Sequence, residues 1–423
     1  MKYDVIVLGG GASGLMSAIV CAERGKKVAV IDRNFTMGKK LMVTGNGRCN
    51  MTNIHMDSDK YNVNIDKYLS RFNEIDTMSF FKNLGLAMSV DDEGRVYPIT
   101  NNAKSVIDVL NNRLDELQVD KIFNTEVVDV EQIIDGYSVI CADNKKYTSR
   151  KLIVATGGNT LVNFAKKLRE SVVENRPSLC ALKTTKVQGL NNIKLSNVKV
   201  TALPKRGVVC GKDVKSIDNN NAVFDKKHNL LYLKCSNKNT CILDDCLENN
   251  SICEYGEVLF KDGGVSGISI FNVSAYFARS GYEGKIIIDI FPSISAENLF
   301  NIMCEARDKN RSLLKGLVVD ALANNIYARC GIDDIKVSKN ISDKKIKEIA
   351  YVLKHMDFDV TNAYDNNQVF SGGIKLDSIN CDLSSKMSPG LYWVGEVVDV
   401  DGVCGGYNLQ WAWTSGYIAG MSV

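Results

Sequence analysis

The chain opens on a short, continuous and β-branched apolar run. Lys2 to Leu8 (KYDVIVL) reads as a parallel strand buried on both faces. Gly9 to Gly14 (GGGASG) ends it, and a helical run from Leu15 to Arg24 follows, then a turn at Gly25 and a second strand from Lys27 to Ile31. Two more apolar runs, Asn124 to Val130 (NTEVVDV) and Lys151 to Gly158 (KLIVATGG), also read as strands. Residues 183 to about 293 are strand-rich, as in Asn197 to Leu203 and Lys285 to Phe291. At Ser295 the period changes: Ser295 suits an N-cap, and Leu299, Ile302, Met303 and Ala306 share one helical face. Leu313 to Ala328 and Asp343 to Lys354 read as further helices, Asp359 to Phe370 as a return strand, and Leu409 to Ala419 as a late helix.

The first thirty residues carry chemistry as well as pattern. Gly9, Gly11 and Gly14 form a GxGxxG between a strand and a helix. Gly9 permits the tight turn, Gly11 admits a pyrophosphate close to the backbone, and Gly14 lets helix and strand pack. Asp32 ends the second strand 18 residues after Gly14, where a carboxylate can accept from a ribose diol. The order of parts predicts dinucleotide binding. It also explains why Val5 to Ala22 holds 18 uncharged residues without being a membrane anchor, since four glycines interrupt them. The strand ending in Ala155-Thr156-Gly157-Gly158 is a flavoprotein pattern, and the Asn124 to Val130 strand, at Val128, suits an adenine edge. The fold class that follows is α/β: a Rossmann-type domain formed by both chain ends (1–182 and 371–423), a β-rich inserted domain (183–294 and 355–370), and a small α-helical subdomain (295–354).

Composition narrows the classes. The 423 residues are 45% hydrophobic and 24% charged, which suits a globular protein of two to three domains. The net charge of +3 does not describe a dedicated nucleic-acid or membrane-surface protein. One stretch is asymmetric: Lys183 to Lys215 holds eight basic residues and one acid, Asp213. It has no aromatic residue to stack a base, and its alternation fits a half-buried sheet with a lysine-rich outer face. Thirteen cysteines without any CxxC read as reduced thiols of a cytoplasmic protein. Cys235, Cys241, Cys246 and Cys253 are spaced irregularly, and the Cys241–Cys246 pair has the wrong surroundings for a redox disulfide. His55, His228 and His355 lie too far apart to suggest a zinc site, so no metal is expected.

Three long segments are more specific. Lys39 to Asn53 (KKLMVTGNGRCNMTN), Gly94 to Leu110 (GRVYPITNNAKSVIDVL) and Gly390 to Gly420, which contains GEVVDVDGVCGGYNLQWAWTSG, resemble in one order the BaiN-like flavoproteins, a family that includes aminoacetone-oxidase-like FAD enzymes. The resemblance implies a Rossmann-type FAD-binding domain with FAD bound across distant residues. Gly9, Gly11, Ala12, Ser13 and Gly14 would hold the pyrophosphate, and Asp32 the adenosine ribose. Thr44, Gly45, Asn46, Gly47, Arg48, Cys49 and Asn50 would lie along the flavin. Gly395 and Glu396, with Gly405, Gly406, Tyr407, Asn408, Leu409 and Gln410, would close over it. Arg33, Lys40, Val128, Ala155, Thr156, Gly157 and Gly158 complete the expected cofactor set. A helix starting behind Gly405-Gly406 would turn its positive end towards the flavin N1 and C2 carbonyl and raise its electron affinity. Asp399 and Asp401 read equally as a solvated loop or a relay, and Trp411 and Trp413 as helix packing. Relatives commonly have Thr-His where this chain has Lys261-Asp262, and Pro where it has Ile268, so substrate identity does not transfer.

The expected function is an FAD-dependent oxidoreductase moving hydride through flavin N5. An NAD(P)H-linked reductase of an activated C=C bond in a small organic substrate leads. With no second GxGxxG, NAD(P)H would visit the flavin only transiently. The alternatives are an oxygen-using amine oxidase, a flavin-dependent RNA-modifying or RNA-binding protein, and a flavin redox sensor. Neither a membrane nor a nucleic acid is the expected partner. Tyr97, Tyr407 and Arg48 are candidates for moving a proton or holding an anion, and no catalytic residue is assigned.

Overall fold

In the computed structural model, residues 2–158, 162–205, 222–225, 230–233, 251–332, 340–365 and 367–423 are described. His228, Cys235, Cys241, Cys246 and the basic residues Arg206, Lys212 and Lys215 lie outside them. The chain forms two compact units, Met1–Arg176 with Gln368–Val423, and Pro177–Asn367.

The first unit is built on a seven-stranded sheet. Its parallel part runs Asp120–Ile122, Val28–Ile31, Lys2–Leu8, Lys146–Val154 and Leu391–Trp393. These central strands are apolar without alternation because helices cover both faces; Val5, Ile6, Val7, Leu152, Ile153 and Val154 are all fully buried. Lys146–Val154 is long enough to do two jobs along one edge. Its first half pairs antiparallel with Gly136–Cys141, and its last three residues pair with Leu391–Trp393. The strand expected at Asn124 to Val130 is Val127–Ile133, the outer strand of that antiparallel flap.

The first helix, Ala12–Glu23, starts three residues earlier than the sequence pattern suggests, because the glycine turn is itself the N-cap. The final helix, Tyr407–Ser422, likewise begins two residues early. These two helices lie side by side and point the same way. A Cβ on Gly416 would come within 2.5 Å of the Ser13 carbonyl, and one on Gly420 within 2.7 Å of Val20 Cβ. Only glycine allows that approach.

The second unit contains a closed six-stranded antiparallel barrel in the order Leu182–Thr184, Gly264–Ser266, Ile252–Lys261, Lys194–Pro204, Gly284–Asp289 and Met356–Ala363. Val198, Val200, Val258, Phe260, Ile286, Ile288 and Phe358 fill its core. Helices at Ala296–Asp308, Asp320–Arg329 and Asp343–Lys354 follow the strands, and Ser295 caps the first through Asn298 N–H at 3.1 Å. Two expectations change here. The helix expected over Leu313 to Ala328 starts only at Asp320, after a run of turns. The single return strand expected over Asp359 to Phe370 is two strands, Met356–Ala363 closing the barrel and Val369–Ile374 belonging to the first unit.

Three lysines of the described part of the basic stretch meet acids. Lys186 pairs with Asp357 at 2.5 Å, Lys194 with Glu257 at 2.5 Å, and Lys205 with Glu283 at 3.4 Å. These lysines face acids of the neighbouring strands.

Candidate functional site

Two clusters in the first unit gather nearly all the expected residues. The first lies at the carboxyl ends of the parallel strands. Gly9 turns with φ +101°, and a Cβ there would meet the Ala155 carbonyl at 2.5 Å; at Gly14 it would meet the Gly9 carbonyl at 2.0 Å. Gly11 is different, since a Cβ there would meet nothing within 4 Å. The space is open on the side where the first helix presents its N–H groups. That helix has no side-chain cap and no acid in its first turn, so its N-terminus is free to take an anion. Asp32 braces the turn: its carboxylate accepts from Gly10 N–H at 2.6 Å and from Asn34 N–H at 2.7 Å. Oδ1 also accepts from Asn34 Nδ2 at 2.8 Å, and Oδ2 keeps a lone pair for a ribose hydroxyl. Beside it is a cavity of about 420 Å³ lined by Arg33, Asn34, Asn124, Thr125, Glu126, Ala142 and Asp143. Val128 is 58% exposed on the nearby flap.

Lys40 and Glu396 join this cluster. Their side chains meet at 2.6 Å, and the other Glu396 oxygen accepts from Phe370 N–H at 2.7 Å. Gly158 packs on Phe370, where a Cβ would clash at 2.6 Å, and Gly395 packs on the Ser13 hydroxyl. Phe370 was not singled out from sequence, and nothing in its neighbourhood (Val369, Ser371) marks it there.

The second cluster joins the segment around residues 44–53 to the start of the final helix. Gly45, Asn46, Gly47 and Cys49 all have positive φ, so the loop from Thr44 to Asn50 is a chain of left-handed turns. It is tied down from behind. The Asn50 amide, oriented to satisfy its neighbours, donates to the Thr52 carbonyl and accepts from Gly406 N–H, each at 3.0 Å. Asn53 donates to the Gly405 carbonyl at 3.0 Å, and Trp413 to the Met51 carbonyl at 3.0 Å. Gln410 is wholly buried; it accepts from Thr52 and Thr77 and donates to Thr414. Its side chain therefore holds the segments together, with both lone pairs of its oxygen taken. Asn408 staples its own loop through Gly402. Tyr407 packs edge-on against Tyr61, whose hydroxyl donates to the Tyr407 carbonyl at 2.7 Å. Thr52, Asn53 and Tyr61 carry much of this junction; the first two lie inside the quoted motif and could have been read as its anchors.

Electrostatics separates the candidates. Cys49 is fully enclosed, and burial pushes its thiol up to about 12 despite the Thr44 hydroxyl, so it is an inert packing group. Burial also raises Tyr97 and Tyr407, with Arg95 and Arg48 opposing the shift at Tyr97. Arg48 lies over the Tyr97 ring at 4.6 Å. Asp401 is buried and accepts from Ser371, while Asp399 accepts from Gly372 N–H, so neither sits in a solvated loop. Trp411 and Trp413 are packing residues, buried and bonded to backbone carbonyls. Among the described residues no group of His, Cys, Asp or Glu could hold a metal.

The two clusters are spaced by the paired helices. Gly416 lies level with Ser13 to Met16, and the final helix begins nine residues before Gly416, so its N-terminus projects about 10 Å beyond that of the first helix. The final helix also has a glycine N-cap, no side-chain cap and no first-turn acid. Two free helix N-termini so spaced suit a ligand with a pyrophosphate at one point and an electron-rich ring at another. FAD is such a ligand. Together with the Rossmann topology, this defines an FAD-dependent oxidoreductase.

The family model described as "HI0933-like protein Rossmann domain" matches residues 3–422, and the chain belongs to that family. It is 28% identical over 439 residues to the 3-dehydro-bile acid delta(4,6)-reductase of Clostridium scindens, covering 98% of each chain. It is 26% identical over 444 residues to the ribosomal RNA dihydrouridine synthase of Haemophilus influenzae, covering 99% of this chain and 98% of that one. The Escherichia coli protein of the same description is 25% identical over 427 residues, covering 98% and 96%. Among solved structures, the open conformation of a flavocytochrome c3 fumarate reductase matches 99% of this chain and 77% of its own, with 15% identity and a TM-score of 0.43. The expected FAD-binding Rossmann fold, the family and the cofactor all stand. No helix among the described residues is long and apolar enough to cross a membrane.

Proposed function

We propose that this protein is an FAD-dependent reductase that takes hydride from NAD(P)H and adds it across a C=C bond conjugated to a carbonyl. The observation that carries the reading is chemical. The relatives that match the whole chain are named for two activities, a delta(4,6)-reductase of a 3-oxo steroid and a synthase of dihydrouridine. Each name describes saturation of a C=C bond whose far carbon is activated by a carbonyl. FAD would be held by Gly9 to Gly14, Asp32 and Lys40 with Glu396, and it supplies a hydride carrier. The uncapped N-terminus of the final helix, behind its N-cap Gly406, supports that role, since it would offer positive potential to the charge of a reduced flavin.

The first acceptor class is a small enone, for which the exposed apolar side chains of Met42 and Val43 beside the Thr44 to Asn50 loop offer contact. The second is the uracil ring within RNA, favoured by the two relatives of that name. Lys186, Lys194 and Lys205 each meet an acid, which favours the small enone over it.

Anaerobic titration with NADPH, followed by addition of a cyclic enone, tests the reading. Bleaching of the flavin by NADPH and its return on adding enone would support it. A flavin that NADPH and NADH leave oxidised would overturn it. Nucleoside mass spectrometry of ribosomal RNA from cells lacking the protein separates the two acceptors: loss of dihydrouridine selects RNA, and no loss selects the small enone.

A further inference from the structure

Arg48 is held by a backbone carbonyl and an aromatic ring instead of a carboxylate. Arg95, Arg113, Arg307 and Arg329 each meet a carboxylate. Arg48 is exposed and forms no ion pair among the described residues, yet its head is fixed in place. Its Nε donates to the Gly45 carbonyl at 3.2 Å, and its guanidinium lies on the ring of Tyr97, itself buried. Tyr97 is held in turn by strand pairing with Ser89, and it packs under Gly45. Left-handed backbone at Gly45, Asn46, Gly47 and Cys49 sets the path of the loop, and Asn50 ties its end to Gly406. With Nε engaged and one face covered, the four N–H groups of the two terminal nitrogens are left for a ligand as a planar fork.

We infer that Arg48 is the seat for the carbonyl oxygen of the acceptor, and that it stabilises the oxyanion formed during reduction. This rests on the proposed function. The β-carbon of the acceptor would receive a hydride, hydrogen with two electrons, which reduced FAD would supply on being oxidised. The C=C pair moves to join the α-carbon to the carbonyl carbon, and the carbonyl electrons move to oxygen as an enolate. Two N–H groups of Arg48 hold that oxygen. Water then gives a proton to the α-carbon, the carbonyl reforms, and hydroxide is left for the buffer to neutralise. Charge develops on the oxygen as the hydride is transferred, so a preset donor fork favours the transition state over the bound substrate. Exposed Val43 and Met42, on the same loop, would meet the apolar part of the acceptor.

A stable oxyanion tests the seat without turnover. 4-Chlorophenol, titrated into the oxidised holoprotein, gives a long-wavelength charge-transfer band when its phenolate stacks on flavin. The band should appear at a pH below the ionisation of free phenol. In Arg48→Gln, affinity for the phenolate should fall roughly 10- to 100-fold. Arg48→Lys should retain part of the band, keeping charge without the fork. Phenolate affinity is compared per bound FAD, with the FAD content of each variant measured from its flavin absorption. Wild-type phenolate affinity in Arg48→Gln would overturn the inference, as would absence of any band in the wild type. If the band depends on Arg48 but neither enone nor RNA is reduced, the anion seat stands and the reductase reading fails. If enone is reduced equally with and without Arg48, the reductase reading stands and the seat fails.

Discussion

Lys40 Nζ and Glu396 Oε2 meet at 2.6 Å although 356 residues separate them in sequence. The pair closes one side of the strand ends on which FAD would lie. Its energetic weight is uneven. Lys40 is half exposed, so the ion pair itself contributes little, under about 1 kcal/mol. Glu396 also accepts from the Phe370 amide, a bond that water replaces less easily. Glu396→Gln should therefore leave urea stability of the FAD-free protein within about 1 kcal/mol of wild type. Glu396→Ala should lose about 1–3 kcal/mol. Equal losses in the two variants would show that the ion pair, and not the backbone bond, matters.

The glycines of the first turn divide into two kinds, and substitution should separate them. Gly11 has ordinary backbone angles and open space before it, so Gly11→Ala should leave the FAD-free protein as stable as wild type. The methyl would stand where the pyrophosphate comes, and FAD affinity should fall at least about tenfold. Gly14→Ala would push a methyl into the Gly9 carbonyl and should cost more than about 2 kcal/mol with or without FAD. Thermal melts with and without added FAD read both effects.

Burial raises the thiols of Cys21 and Cys49 to about 12 and that of Cys180 to about 11, from an ordinary value of 9.0. The folded chain thus holds protons that the unfolded chain releases first. The associated stability is complete below pH 9 and is lost as pH rises from there towards 11 to 12. Urea midpoints should be level through neutral pH and fall above 9. At pH 8, iodoacetamide should label exposed Cys381 while sparing Cys21, Cys49 and Cys180, as peptide mass spectrometry would show. Early labelling of Cys49 would contradict its packing role.

Gln410 links three threonines inside the first unit. Gln410→Leu removes the acceptor of the Thr52 and Thr77 hydroxyls, each loss costing about 1–3 kcal/mol. Stability should drop while the NADPH-dependent bleaching of whatever folded protein remains is unchanged. A slower bleaching rate at full FAD occupancy would give Gln410 a part in the chemistry.

Local elements were legible where local chemistry decides them. The first strand, the glycine turn, the cap at Ser295 and the helix Asp343–Lys354 fall where apolar period and capping place them. The region from 313 to 370 was less readable. Leu313 and Leu314 are buried like helix residues but sit in turns, and residues 364–370 pass from one unit to the other with no proline or glycine to mark the break. For the site, the motif residues were visible, but their division of labour was not. Gln410 and Cys49 look like ligands in a motif and serve as packing, whereas Phe370 looks like packing and shapes the site. Such differences depend on where a side chain points once distant segments meet, and spacing along the chain does not encode that.

The close fit of Gly416 and Gly420 on the first helix has a consequence for the order in which the protein can be assembled. Cys21 and Gly420, 399 residues apart, end up in contact, so a ribosome makes the first helix long before its companion exists. Until then the face of Ser13, Ser17 and Val20 is uncovered, and the last parallel strand, Leu391–Trp393, has not joined Lys146–Val154. The barrel unit, whose strands lie wholly between, can close first. The nascent chain must therefore carry an unfinished sheet until Leu391–Trp393 and the final helix are made, and cofactor loading becomes a late event that waits for that helix.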